Sequence, residues 1–202
     1  MRCVFLCLVV SSAIPAFAAD PSFDCSKAQS SAEDLVCSDA DLAALDVRLS
    51  SVYTAARDKT RAFKSGAKEA EKQLRASQRG WVKGRDDCWK AEDARTCIAL
   101  TYRMREAQLV AGWMLEDPVS KAFWQCGKPA DGVITMFFDT DMPGVRLEIG
   151  DRISTATRVR SASGSRYEGD FGESIWIKGE NATYRAPDPD GTEKSCTRRQ
   201  SG

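Results

Sequence analysis

Two short stretches near the end of the chain carry the residues best suited to specific chemistry. One is Arg160-Ser161-Ala162-Ser163-Gly164-Ser165-Arg166-Tyr167; the other is Ile175-Trp176-Ile177-Lys178-Gly179-Glu180-Asn181-Ala182-Thr183. A serine hydroxyl both donates and accepts hydrogen bonds, and a lysine ammonium makes a charge-assisted bond to a carboxylate. That is the chemistry of recognition. The chain has no histidine, which removes a Ser-His-Asp triad, a Cys-His pair and any histidine ligand for zinc or haem. Carboxylate or lysine catalysis stays open, but no acidic pair stands apart from the other carboxylates. The expectation is a binding protein with no activity and no cofactor of its own.

If Gly169-Asp170-Phe171-Gly172 is the loop of an antiparallel hairpin, its centre falls between Asp170 and Phe171. Positions 163 and 178 are then equidistant from that centre and meet at one end of the hairpin. Spacing alone also fits a plainer reading: a tight turn at Ser163-Gly164 and a strand-end charge at Lys178. Trp176 reads as core, and Asn181-Ala182-Thr183 as a turn entering a strand.

The elements that must position these residues fall into two halves. From 38 to about 113 the apolar residues recur at helical spacing. Ser38 is placed as an N-cap, and Leu42, Leu45, Leu49, Val52, Tyr53 and Ala56 follow as one stripe. A turn at Ser65-Gly66 precedes a second helix from about Lys68. A polar loop between Cys88 and Cys97 precedes a third, with Ile98, Tyr102, Arg105 and Leu109 on one face. Arg79, Arg85 and Asp86 near Trp81 read as a network that orients the helices, and the lysines at 59, 64, 68, 72 and 83 as a solvated face. At Pro118 the helical pattern stops. Beyond it, short alternating segments at 133–138, 145–149, 153–159, 166–168, 174–178, 182–185 and 194–197 are divided by glycines.

The fold class expected is α+β in two domains: a small helical bundle or hairpin, then a small antiparallel β-barrel of about seven or eight strands. The boundaries are read as an export signal over 1–18, a helical domain over 19–113, a connection over 114–122 and the barrel over 123–202. The signal rests on Arg2, an apolar run over 4–14 and the Ala16-Phe17-Ala18 cleavage site, so the mature chain begins at Ala19. That run is too short to span a bilayer. Neither Cys7 nor Cys25 follows the small residues that lipid attachment needs, so no stable membrane anchor is expected.

Cys25, Cys37, Cys88, Cys97, Cys126 and Cys196 stay in the mature chain. An even number in an oxidising compartment, with no C-x-x-C spacing, points to disulfides and not to a metal. A Cys126–Cys196 bridge would tie the ends of the barrel. Among the other four, local pairs are simplest and crossed pairs are equally legal. The chain carries 29 basic and 29 acidic residues, balanced in each half, so no basic domain marks a nucleic-acid partner.

Two family resemblances lie on these residues. Cys25…Cys37-Ser38-Asp39…Leu42…Leu45-Asp46…Leu49…Tyr53, then Gln78-Arg79-Gly80-Trp81…Arg85-Asp86-Asp87-Cys88…Cys97…Tyr102…Arg105, resembles the LprI-type helical domain of exported bacterial proteins. It covers roughly 25–112, and the family's founding member is associated with lysozyme inhibition. The 160–167 and 175–183 stretches resemble the S-A-S-G-x-R-Y and W-x-K-G-x-x-A motifs of the MliC/PliC inhibitors of C-type lysozyme. This match runs over about 123–198 and includes Cys126 and Cys196. Ser165 stands where alanine is usual, and Ile175 where an aromatic is common.

The second resemblance implies that Ser163 and Lys178 enter the lysozyme cleft. Gly164, Arg166, Tyr167 and Gly179 would support them or touch the rim. It also implies a periplasmic or secreted inhibitor whose partner is C-type lysozyme. The competing class is a periplasmic ligand-binding or adhesion module in which the helical half is the main binding unit.

Overall fold

A computed structural model of the chain describes residues 20–128 and 132–199. The export segment expected over 1–18 lies outside the described residues, as does Ala19. Among the described residues the first half holds four α-helices: α1 (Ser31–Ser38), α2 (Ala40–Arg61), α3 (Ala67–Asp86) and α4 (Ala94–Trp113). The short α1 is an addition to the sequence expectation. Ser30 caps it by accepting from the Glu33 N–H, while the Glu33 carboxylate reaches back to the Gln29 N–H at 2.7 Å.

Because α1 runs through Ser38, the cap of α2 falls one residue later than expected. Asp39 is extended, and its carboxylate accepts from the N–H groups of Asp41 and Leu42. Similarly, α4 begins inside the expected Cys88–Cys97 loop, with Asp93 accepting from the Thr96 N–H at 3.0 Å. Leu42, Leu49, Leu74, Ile98, Tyr102 and Leu109 join the apolar faces of α2, α3 and α4 in one buried cluster. The disulfides settle as local pairs here, Cys25–Cys37 and Cys88–Cys97. The second pins the turn that follows α3 to the first turn of α4.

The other half is a closed barrel of eight antiparallel strands in sequence order. They are β1 (Ser120–Gln125), β2 (Gly132–Phe138), β3 (Gly144–Ile149), β4 (Arg152–Val159), β5 (Ser165–Gly169), β6 (Ser174–Lys178), β7 (Asn181–Arg185) and β8 (Glu193–Arg199). All seven segments marked in the sequence lie within strands. The eighth, β1, follows Pro118 directly and starts inside the stretch read as a connection. It closes the barrel by pairing Phe123 with Arg199 and Gln125 with Thr197. Cys126, just past β1, bridges to Cys196 of β8 across that seam. Trp124, Val133, Leu147, Tyr167, Ile175 and Tyr184 fill the interior.

The two halves pack along α4, which lies chiefly on β2, β3 and β4. Phe138 is buried between Val110 and Ala111 of the helix. Gly144 permits the approach, since a Cβ there would sit 3.2 Å from both the Ala107 Cβ and its carbonyl oxygen. At the margin Arg146 donates to the Gly112 carbonyl at 2.7 Å, and Arg48 joins Glu106 at 2.6 Å and Asp141 at 3.3 Å. Strands β5 to β8 keep outer faces that α4 does not chiefly contact.

Candidate functional site

Strands β5 and β6 form the hairpin expected from the sequence, but its centre is displaced. The Gly169 N–H donates to the Glu173 carbonyl at 2.8 Å, enclosing a three-residue loop, 170–172. Phe171 takes a left-handed conformation at its apex, with φ of 55°. An odd loop puts the centre on Phe171, and the register runs Glu168 to Ser174, Arg166 to Trp176 and Ser165 to Ile177. One step further, Lys178 faces Gly164 and not Ser163.

Ser163 is nevertheless held at the same end, by a side chain the sequence reading assigned to the core. Trp176 points outward from β6, half-buried, and its indole N–H donates to the Ser163 carbonyl at 2.8 Å. The Lys178 ammonium lies 3.5 Å from the centroid of the same ring. The sequence did hold the signal. Ile175 is fully buried, and alternation then turns Trp176 to the opposite face.

The loop before β5 is tightly determined. Gly164 has φ of +68°, and a Cβ there would fall 2.2 Å from the Ile177 carbonyl oxygen and 3.0 Å from Lys178 Cγ. The Ser161 hydroxyl is positioned to donate to the Ser163 carbonyl at 3.2 Å or the Gly164 carbonyl at 3.3 Å. With its backbone held, the exposed Ser163 hydroxyl makes no hydrogen bond among the described residues, and Lys178 makes no ion pair there. One indole thus touches both the Ser163 backbone and the Lys178 ammonium.

Of the other residues singled out in the sequence, Gly179 follows Lys178 in the β6–β7 turn. Arg166 lies across from Trp176 and pairs with Glu168 at 2.9 Å. Tyr167 points the other way, 6% exposed inside the barrel, with its ring 5.5 Å from that of Phe137. Burial raises the pKa of its phenol. Beside Lys178 a shallow groove of about 340 Å³ runs over β6, β7 and β8, lined by Trp176, Asn181, Thr183, Ser195 and Thr197 among others.

In the helical half, Arg85 is 4% exposed and donates to Asp86 at 2.7 Å, Tyr102 at 3.1 Å and Glu33 at 3.2 Å. Tyr102 passes the chain on to Asp46 at 2.9 Å. Burial works against the Arg85 charge, but Tyr102 and Asp86 outweigh it and raise its pKa. This is the helix-orienting network expected; Arg79 stands outside it. Among the described residues, no group of three or more His, Cys, Asp or Glu side chains is placed to hold a metal.

Comparison with known proteins bears on both halves. Residues 25–111 match the family model described as lysozyme inhibitor LprI. Residues 124–193 match the one described as membrane-bound lysozyme-inhibitor of c-type lysozyme. Proteins named Lipoprotein LprI from Mycobacterium bovis and Mycobacterium tuberculosis are 30% identical over 155 residues, covering 74% of this chain and 72% of theirs. The chain belongs to the LprI family. The LprI match contains the Arg85 network and both local disulfides, while the MliC match contains the whole hairpin, Ser163, Trp176 and Lys178 included. Two lysozyme-inhibitor families therefore meet in one chain, in the order expected. Among the described residues no helix is long and apolar enough to cross a membrane, and Cys25 is committed to its disulfide with Cys37.

Proposed function

We propose that this protein is exported, loses residues 1–18, and inhibits C-type lysozyme by lodging Ser163 and Lys178 in the enzyme's cleft. Membership of the inhibitor families supports the target. The observation that carries the mechanism is the Ser163–Trp176–Lys178 unit: a free hydroxyl and a free ammonium fixed by one indole on an open face of the barrel.

Lysozyme works with one carboxyl group held protonated as the acid and a second held ionised. A lysine ammonium between them makes charge-assisted bonds and favours the ionised form of both. The acid then has no proton to give. The serine hydroxyl donates or accepts beside it, and Gly164 and Gly179 allow close approach of the two backbones. Arg166 stands at the rim, and buried Tyr167 supports the loop from inside the barrel. No step of this mechanism requires the protein to turn over a substrate.

Titration of the mature protein into a cell-wall lysis assay with a C-type lysozyme tests the reading. Wild type inhibits saturably, and Lys178→Ala and Ser163→Ala each weaken inhibition about tenfold or more, which is ~1.4 kcal/mol per decade. Equal inhibition by both variants would remove these two residues from the mechanism. No inhibition by folded, disulfide-intact wild type would remove the target.

A further inference from the structure

The helical half carries a charged groove that the barrel site does not use. Along α3, Lys68, Lys72, Arg75, Arg79 and Lys83 follow one another at steps of four, three, four and four, and all are exposed. Such spacing places them on one face, as a row about 22 Å long at 1.5 Å of rise per residue. Like charges at these steps destabilise a helix, so the row is costly unless something answers it.

The protein's own acids answer it only in part. Glu71 is shared by Arg75 at 2.8 Å, Arg61 at 3.2 Å and Arg57 at 3.9 Å. Glu69 reaches Lys72 at 3.6 Å. Arg79 and Lys83 make no ion pair among the described residues. The Arg57 Nε is buried without a hydrogen-bond partner there. Between α2 and α3 these cations border a groove of about 530 Å³, in which Arg57, Arg75, Arg79 and Lys83 surround the surfaces of Tyr53 and Val82. No carboxylate lines it. At the α3 side it adjoins a second groove, lined by Lys68, Lys72, Arg75 and Arg79 and by the single acid Glu71.

We propose that this groove binds a strand of acidic polysaccharide. Guanidinium forks match carboxylates with two bonds at once. A linear row of cations answers charges repeated along a polymer, and the Arg57 guanidinium over the Tyr53 ring, 6.0 Å from its centroid, adds a further cation at the groove wall. The groove is shallow and follows the line between α2 and α3, a path that a single extended strand can take. The inference is independent of the lysozyme mechanism, since it uses none of the barrel residues. It gives the helical half a task of its own: keeping the protein on acidic polymers of the cell surface.

Isothermal titration of the mature chain with hexagalacturonate, neutral maltohexaose, hexaglutamate and phosphatidylglycerol vesicles tests it. The double variant Arg79→Gln/Lys83→Gln removes two exposed, unpaired cations and leaves the fold intact. Lys27→Gln/Lys90→Gln removes the same charge elsewhere on the helical half. Wild type is expected to bind hexagalacturonate but not maltohexaose, more weakly as salt rises. The groove variant is expected to bind at least tenfold more weakly, the control variant as wild type does, and both to inhibit lysozyme as before. Absence of hexagalacturonate binding, or equal weakening in the control, would overturn the site. Tighter binding of hexaglutamate or of vesicles would overturn the polysaccharide.

Discussion

Each half of the molecule sets a cation against an indole, and the two pairs are put to opposite uses. In the helical half the Arg85 guanidinium lies 5.6 Å from the Trp81 ring, buried, and donates to Tyr102, Glu33 and Asp86. In the barrel the Lys178 ammonium lies 3.5 Å from the Trp176 ring and is exposed without an ion pair. Arg85 has its electrostatic demands met inside the chain, so it serves to fix α3 against α1 and α4. Lys178 is positioned by the chain but not neutralised by it, and that leaves it available to another molecule. A charged residue near a tryptophan is informative about function only once its partners are known.

The largest effects should come from breaking the closed side of this contrast. Arg85→Met takes the shared guanidinium donor from Asp86, Glu33 and Tyr102, and breaking a buried charged network typically costs about 3 kcal/mol. Denaturant unfolding should show that loss, while the remaining folded protein still inhibits lysozyme. Lys178→Met should do the reverse: stability within about 0.5 kcal/mol of wild type, as for other surface changes, and inhibition lost. If Lys178→Met unfolded the barrel, the contrast would collapse. Removing the Cys126–Cys196 bridge by Cys126→Ser/Cys196→Ser should cost about 4 kcal/mol in the chain-entropy model, because it closes a loop of 70 residues. The Cys88–Cys97 bridge spans only 9 residues, and its removal should cost roughly 3 kcal/mol.

Smaller changes sharpen the comparison. Trp176→Phe keeps a ring beneath Lys178 but deletes the donor to Ser163, a bond of about 1 kcal/mol. Inhibition should weaken about fivefold with thermal stability nearly unchanged. Two buried carboxyls then separate the halves by pH. Burial raises the Glu106 pKa above the usual 4.5, and Arg48 only partly offsets this. Its contribution to stability is therefore full in acid and falls as pH rises through the raised value. Burial pushes Glu173 the same way, but hydrogen bonds from Arg152 and Tyr184 reverse it and leave its pKa below 4.5. Its contribution is full above 4.5 and is lost as pH falls through the lowered value. Denaturant midpoints measured from neutral to acid pH should show Glu106→Gln and Glu173→Gln changing the slope with opposite signs.

Much of this architecture was legible in the residues, and the exceptions have definite causes. Helical spacing gave way to period two at Pro118, so both halves were visible. Strand β1 was passed over because it follows that proline at once, and its inward residues, Ala122 and Trp124, are too few to establish alternation. The cap of α2 slipped from Ser38 to Asp39 because α1, only 8 residues long, has almost no periodicity of its own. The hairpin centre was off by half a residue because nothing in Gly169-Asp170-Phe171-Gly172 announces that a phenylalanine will adopt positive φ. Trp176 reads as core by its residue type, but alternation with Ile175 and Ile177, which face inward, turns it outward. Pairing among the four cysteines of the helical half depends on distances in three dimensions, and spacing left it open, whereas the Cys126–Cys196 bridge is as expected.

The seam between β1 and β8 has a consequence for how such a barrel can be moved between proteins. The polypeptide enters on one strand and leaves on its neighbour, with Cys126 and Cys196 stapled across the join. A unit whose ends are adjacent can be grafted onto a new carrier at a single point without disturbing its interior. The obstacle lies on another flank: without α4, Phe138 would face water, and transplanted copies would tend to self-associate through it. A portable form of the barrel therefore calls for a polar replacement at Phe138 before it calls for any change near Lys178.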